Sequence, residues 1–108
     1  MGNSKQIRNR KHLQYVTTYM CCLHTCSTEW CKGEVQAHHL LKPYDGTRGM
    51  GMKSGDNNCI PLCQYHHMLL HDKFGNEDAY WRTFGLDSDF GRIMAKTLWE
   101  KFQSETTN

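Results

Sequence analysis

Apolar and polar positions alternate in several different ways along this chain. From Gln6 to Met20 the apolar residues Ile7, Leu13, Val16 and Met20 recur at loose helical spacing, which predicts a short first helix with Arg8, Arg10 and Lys11 near its start. Residues 21–33 are cysteine-rich and end in the turn pair Lys32-Gly33. Glu34 to Leu40 alternates weakly, as a strand does, and it delivers His38 and His39. Residues 42–57 contain Gly-Met-Gly and Ser-Gly-Asp-Asn and read as a loop. Cys59, Ile60 and Leu62 form a brief apolar run, read as a second strand that Pro61 keeps short or peripheral. Gln64 to Phe74 reads as a helix closed by Gly75, with Leu69 and Leu70 toward the core. A further helix is expected from Asn76 or Glu77 to Phe84, closed by Gly85. A last one, over about residues 88–104 and capped by Asp87 or Ser88, carries Phe90, Ile93, Met94, Leu98, Trp99 and Phe102 as a packing stripe. Trp30, Trp81 and Trp99 are expected in the core.

The fold class is therefore α+β, in a chain of 108 residues taken as a single domain. At 38% apolar residues the core is small, and a bound metal or a partner subunit would add stability. No run approaches the roughly 20 apolar residues of a membrane span. The polar N-terminus has no signal-peptide core, so the six cysteines are expected as thiols or metal ligands in a cytoplasmic protein. The formal charge of +2 is unevenly divided. Residues 1–53 hold eight Lys/Arg against three acids, and residues 54–108 hold five against eight. A basic half of this kind suits a polyanion, with accidental clustering on a solvated surface as the alternative.

Five of the seven histidines fall between His38 and His71. His67 and His71 are four apart and share one face of a helix. With a third imidazole they can hold a divalent ion and leave a coordination position open. Successive strand residues point to opposite faces, so His38 and His39 cannot share a role. Strand, loop, strand and helix thus form a ββα unit around a metal, flanked by N- and C-terminal helices.

The ordered set His38-His39, Asn58, Leu62-Cys63, His66-His67 and His71 resembles the HNH motif of the ββα-metal endonucleases. Over about residues 20–82 the chain is similar to small phage and prophage HNH proteins of the Ref-like group, through Gly49-Met50-Gly51-Met52-Lys53, Pro61-Leu62-Cys63, Leu70-His71, Gly75-Asn76-Glu77 and Tyr80-Trp81. The resemblance implies hydrolysis of DNA phosphodiesters in a bacterial host. It makes His39 the general base, His38, His67 and His71 the ligands of one catalytic ion, and Asn58 a residue that braces the loop and orients the base. If the strand register slips by one, His38 and His39 exchange roles. Zn²⁺ or Ni²⁺ suits histidine ligation, while Mg²⁺ or Mn²⁺ is a further candidate for turnover.

Cys63-x-x-His66, Cys22-x3-Cys26 and Cys26-x4-Cys31 have zinc-ligand spacing. A structural zinc on Cys63, His66 and two of Cys22, Cys26 and Cys31 stands beside the alternative of ordinary buried thiols. Cys21 and Cys59 are read as packing. Arg48 and Lys53 flank the Gly-rich loop and, with Arg8 and Lys11, are candidate phosphate contacts. No base-reading element is apparent. The competing class is a non-catalytic, zinc-stapled DNA-binding module. A thiol redox protein is disfavoured, because there is no Cys-x-x-Cys.

Overall fold

The computed structural model describes residues 6–26, 30–46 and 53–106. It is a mixed α+β structure with four helices and one two-stranded antiparallel sheet. The order is α1 (Arg10–Val16), β1 (Val35–His39), a 3₁₀ turn (Asp56–Asn58), β2 (Cys59–Cys63), α2 (Gln64–Leu69) running into a π turn (Leu70–Phe74), α3 (Glu77–Thr83) and α4 (Phe90–Thr106). Among the described residues no helix is long and apolar enough to cross a membrane.

In the sheet, His38 lies opposite Ile60 and His39 opposite Cys59, with Ala37 against Pro61. β2 is buried along its whole length, because the cysteine-rich loop covers its other edge. There the Cys22 N–H donates to the Pro61 carbonyl at 2.9 Å. Pro61 has no N–H of its own to leave unsatisfied, so it is tolerated in a buried strand of five residues.

The core contains Leu23, Leu40, Ile60, Leu62, Leu70, Tyr80, Trp81 and Ala95. α4 comes close to it through Gly91, where a Cβ would lie 3.1 Å from Leu40 and from the Trp81 indole nitrogen. α1 rests on α4 through His12, whose ring meets Trp99 edge-on at 4.8 Å and Phe102 at 4.9 Å.

Local chemistry explains the helix boundaries. The Asn9 side chain caps α1 by accepting from the His12 N–H at 3.0 Å. Asn76 caps α3 through the Ala79 N–H. Gly75 and Gly85 take left-handed φ of 62° and 76° just after the π turn and just after α3.

Several expectations need correction. The first helix is shorter than 6–20: Arg8 precedes it, and Ile7 and Met20 are exposed at its flanks. The helix over 64–74 ends as α-helix at Leu69 and widens into the π turn. α4 begins at Phe90 and buries Gly91, Ala95, Leu98 and Phe102, leaving Ile93 59% exposed. Trp30 is 85% exposed, so it is not a core residue, while Trp81 is fully buried. The apolar stripe marks the inward side of α4, but a single small domain cannot bury all of its width.

Candidate metal centres and base

Among the described residues, two groups of side chains that both draw on α2 each bring metal-ligating atoms within 4.8 Å of one another. The first is His38, His67 and His71. β1 places His38 at the buried end of the strand, and α2 and its π turn supply the other two. The ring centroids lie 4.9 Å (His38–His67), 5.5 Å (His38–His71) and 4.8 Å (His67–His71) apart.

Hydrogen bonds set the direction of the two inner rings. The His38 Nε2–H donates to Glu77 Oε2 at 2.6 Å, which leaves Nδ1 as a lone pair. The His67 Nδ1–H donates to Gln36 Oε1 at 2.7 Å, which leaves Nε2 as a lone pair. These two lone pairs face each other across 3.1 Å. Burial and then repulsion from His38 and His71 lower His67 to about 4, so the His67 ring is neutral at neutral pH and its Nε2 carries no proton. Two nitrogens bound to one tetrahedral ion at the usual Zn–N length would be about 3.4 Å apart. The donor set therefore fits a shared cation. His71 is more exposed and is also lowered, by burial and then by His38.

Glu77 is an essential part of this geometry that spacing alone did not assign. It is buried at the start of α3 and also accepts the Leu41 and Lys42 N–H groups at 2.7 and 3.1 Å. One carboxylate thus orients the His38 ring and ties down the chain that leaves β1.

His39 points to the other face of β1. Its Nε2–H donates to Asp56 Oδ1 at 2.8 Å, which leaves Nδ1 as the acceptor nitrogen. Burial lowers its pKa against the opposing pull of Asp56, and Lys53 and Arg8 push the same way as burial. Asp56 is itself almost fully buried and accepts the Asn9 N–H at 2.7 Å on its other oxygen. The Arg8 guanidinium stands 3.6 Å from Asp56 and donates to the Ser54 carbonyl. Asp56 too went unassigned in the sequence. A lone acid in a Ser-Gly-Asp-Asn turn carries no signal until the fold sets it against His39.

Asn58 is fully buried. Its side-chain oxygen accepts the Tyr44 N–H and its amide donates to Asp45, while its backbone carbonyl accepts the Leu40 N–H. It joins the chain after β1 to the start of β2, which is a bracing role. Lys53, Arg8 and Lys11 are exposed; Arg48 lies outside the described residues.

The second group is Cys21, Cys31, Cys63 and His66. The His66 Nδ1 lies 3.1, 3.7 and 3.8 Å from the sulfurs of Cys63, Cys21 and Cys31. In a tetrahedral zinc site an S···N edge is about 3.5 Å. Cys63 also caps α2, its sulfur accepting the His66 N–H at 3.4 Å. Burial acts to raise the Cys63 thiol, but hydrogen bonds from the His66 and Lys32 backbone and from the other two thiols bring it below its ordinary value. Burial and the neighbouring thiols push Cys31 up to about 12.

Cys63, His66 and Cys31 were among the expected ligands, whereas Cys22 and Cys26 are not in the group. The Cys22 N–H is bonded to the Pro61 carbonyl and its side chain packs against the core, whereas it is the Cys21 thiol that reaches His66; Cys26 is exposed. Cys21 is therefore not simply packing. Cys59 is buried in β2, outside both groups.

Together the fold and the two groups define a small Cys- and His-rich α+β protein with side chains able to hold metal at two places. The chain belongs to the DUF968 family, described as a protein of unknown function, whose profile matches residues 2–94. No curated protein and no solved structure gave a match.

Proposed function

We propose that this protein is a metal-dependent endonuclease of the HNH type that hydrolyses phosphodiester bonds in DNA. The observation that carries the reading is the division of labour across β1. One face turns His38 toward His67 and His71, and the other turns His39 toward a buried carboxylate. A divalent ion held by His38, His67 and His71 would stabilise negative charge on the phosphate and the leaving oxygen.

The chain's own residues do the rest. Asp56 holds His39 with its Nδ1 free, and the lowered pKa keeps that nitrogen unprotonated at neutral pH. Water gives its proton to Nδ1 as its oxygen attacks phosphorus, and the bond from phosphorus to the leaving oxygen breaks. Arg8, which stands 3.6 Å from Asp56, and Lys53, whose charge also acts on the His39 ring, suit phosphates on either side of the scissile bond. Glu77 and Gln36 keep the His38 and His67 rings aimed inward. A zinc ion on Cys21, Cys31, Cys63 and His66 would staple the cysteine-rich loop to α2.

The test is plasmid nicking with Zn²⁺, Ni²⁺, Mg²⁺ and Mn²⁺ in turn. His39→Ala should lower the rate by about 10² to 10⁴ while metal affinity is retained. His67→Ala should weaken metal binding in calorimetry. If purified wild-type protein cleaves no DNA with any of these ions, the reading fails.

The cysteine group favours one competing reading, a zinc-stapled DNA-binding module without catalysis. In that case chelation unfolds the protein and no ion restores cleavage. For the nuclease, a mild chelator should abolish cleavage before the fold is lost.

A further inference from the structure

The longest helix carries a surface row that neither metal group uses. Asp89, at the entry to α4, and Ile93, Thr97 and Lys101 within it are spaced four apart. All four are exposed and all border a groove of about 880 Å³. The groove runs between α4 and the segment that follows α1, where Met20 forms part of the opposite wall and is 61% exposed. Among the described residues, Ile93 and Met20 are two of five large apolar side chains that the fold leaves exposed, and both belong to this groove.

The row is complementary to itself. Its N-terminal end is acidic, with Asp87 beside Asp89 on the rim, and its C-terminal end is Lys101. A two-fold axis between Ile93 and Thr97 sets Asp89 against Lys101 of a second copy, and Ile93 against Thr97. A parallel arrangement would instead put acid on acid and lysine on lysine.

We propose that the α4 groove is the interface of a homodimer in which two α4 helices pack antiparallel. The isoleucine of each copy seats in the other's groove, and two Asp89–Lys101 pairs close its ends. A foreign partner would not require this row to match its own reverse; a second copy does.

Sedimentation equilibrium over a range of protein concentrations tests the proposal, with thermal melting as the control for folding. Wild-type protein should reach twice the chain mass. Ile93→Arg, at an exposed position, should remain folded and run as a monomer. Asp89→Lys and Lys101→Asp alone should each weaken association roughly tenfold, because each sets like charges together at two symmetric places. The double charge reversal should restore association to within a few-fold of wild type. A wild-type monomer at every concentration overturns the proposal, as does unchanged association in Ile93→Arg. A double reversal no better than the single changes overturns the antiparallel pairing.

Discussion

Buried carboxylates aim the two histidines of β1, and each makes a distinct prediction. Glu77 accepts three hydrogen bonds, one from the His38 ring. Glu77→Gln keeps the volume but can donate where it formerly only accepted, so the His38 ring loses its enforced tautomer. Metal affinity measured by calorimetry should fall about 10- to 100-fold. Asp56→Asn should act differently. It disturbs the orientation of His39, so cleavage falls while metal affinity holds. Equal losses of both quantities in the two variants would mean that the faces of β1 are not functionally separate.

His12 is a residue-scale feature with a global consequence. Both ring nitrogens are buried without a hydrogen-bond partner, among Trp99, Phe102 and Tyr15. Burial lowers its pKa from 6.5 to about 4, with Asp56 pulling weakly the other way. The unfolded chain therefore takes up a proton near pH 6.5 that the folded chain refuses until about pH 4. This contribution to stability is present above pH 6.5 and is lost as the pH falls toward 4, at most on the order of 3 kcal/mol. His12→Leu should flatten the dependence of melting temperature on pH across that window. An unchanged slope would show that His12 is reached by water in the folded state.

At the scale of elements, α2 is the part on which both metal groups depend. Cys63 caps it and His66 lies in its first turn, while His67 and, through the π turn, His71 serve the other group. Gly33 sets its position. With φ of 82° it lets the chain turn, and a Cβ there would lie 2.5 Å from Gln64 Oε1 and 2.6 Å from Gln64 Cβ. Gln64 begins α2, so Gly33→Ala adds backbone strain and pushes the helix away. The expected cost is roughly 1 to 3 kcal/mol, with weaker binding at both groups. Full stability in that variant would place the origin of the α2 geometry elsewhere. The π turn matters in the same way, because it carries His71 beside His67 where the α-helical run has already ended. Such turns recur where a side chain must be re-aimed at a functional site.

At the scale of the molecule, the basic half of the sequence gathers partly around His39. Arg8 comes from before α1 and Lys53 from after the Gly-rich loop, and the charges of both act on that ring. Replacing both with Ala should reduce the slope of log DNA affinity against log salt by about 2, since each phosphate left without its cation lowers it by roughly 0.9. A slope that does not change means that the polyanion approaches another face.

The strand–loop–strand–helix order, the two helices that follow and the histidine set were legible in the chain. The elements and the His67–His71 pair rest on periodicity and on spacing within single elements, whereas His38 as their partner came from the resemblance to the HNH motif. Alternation alone separates His38 from His39, and four-residue spacing alone joins His67 to His71. What depended on tertiary packing was every choice between neighbours and every partner distant in sequence. Cys21 and Cys22 are adjacent in a loop without a repeating period, and only the folded chain brings the thiol of Cys21, rather than that of Cys22, to His66. Asp56 lies 17 residues from His39 and Glu77 lies 39 from His38, with no period linking either pair. Trp30 and Ile93 are as apolar as Trp81 and Leu98, yet the first two are exposed and the others buried. Local order follows from the repeat of the backbone, which each stretch of sequence carries within itself. Contacts across the chain follow from which surfaces the folded core has room to bury, and no single stretch contains that information.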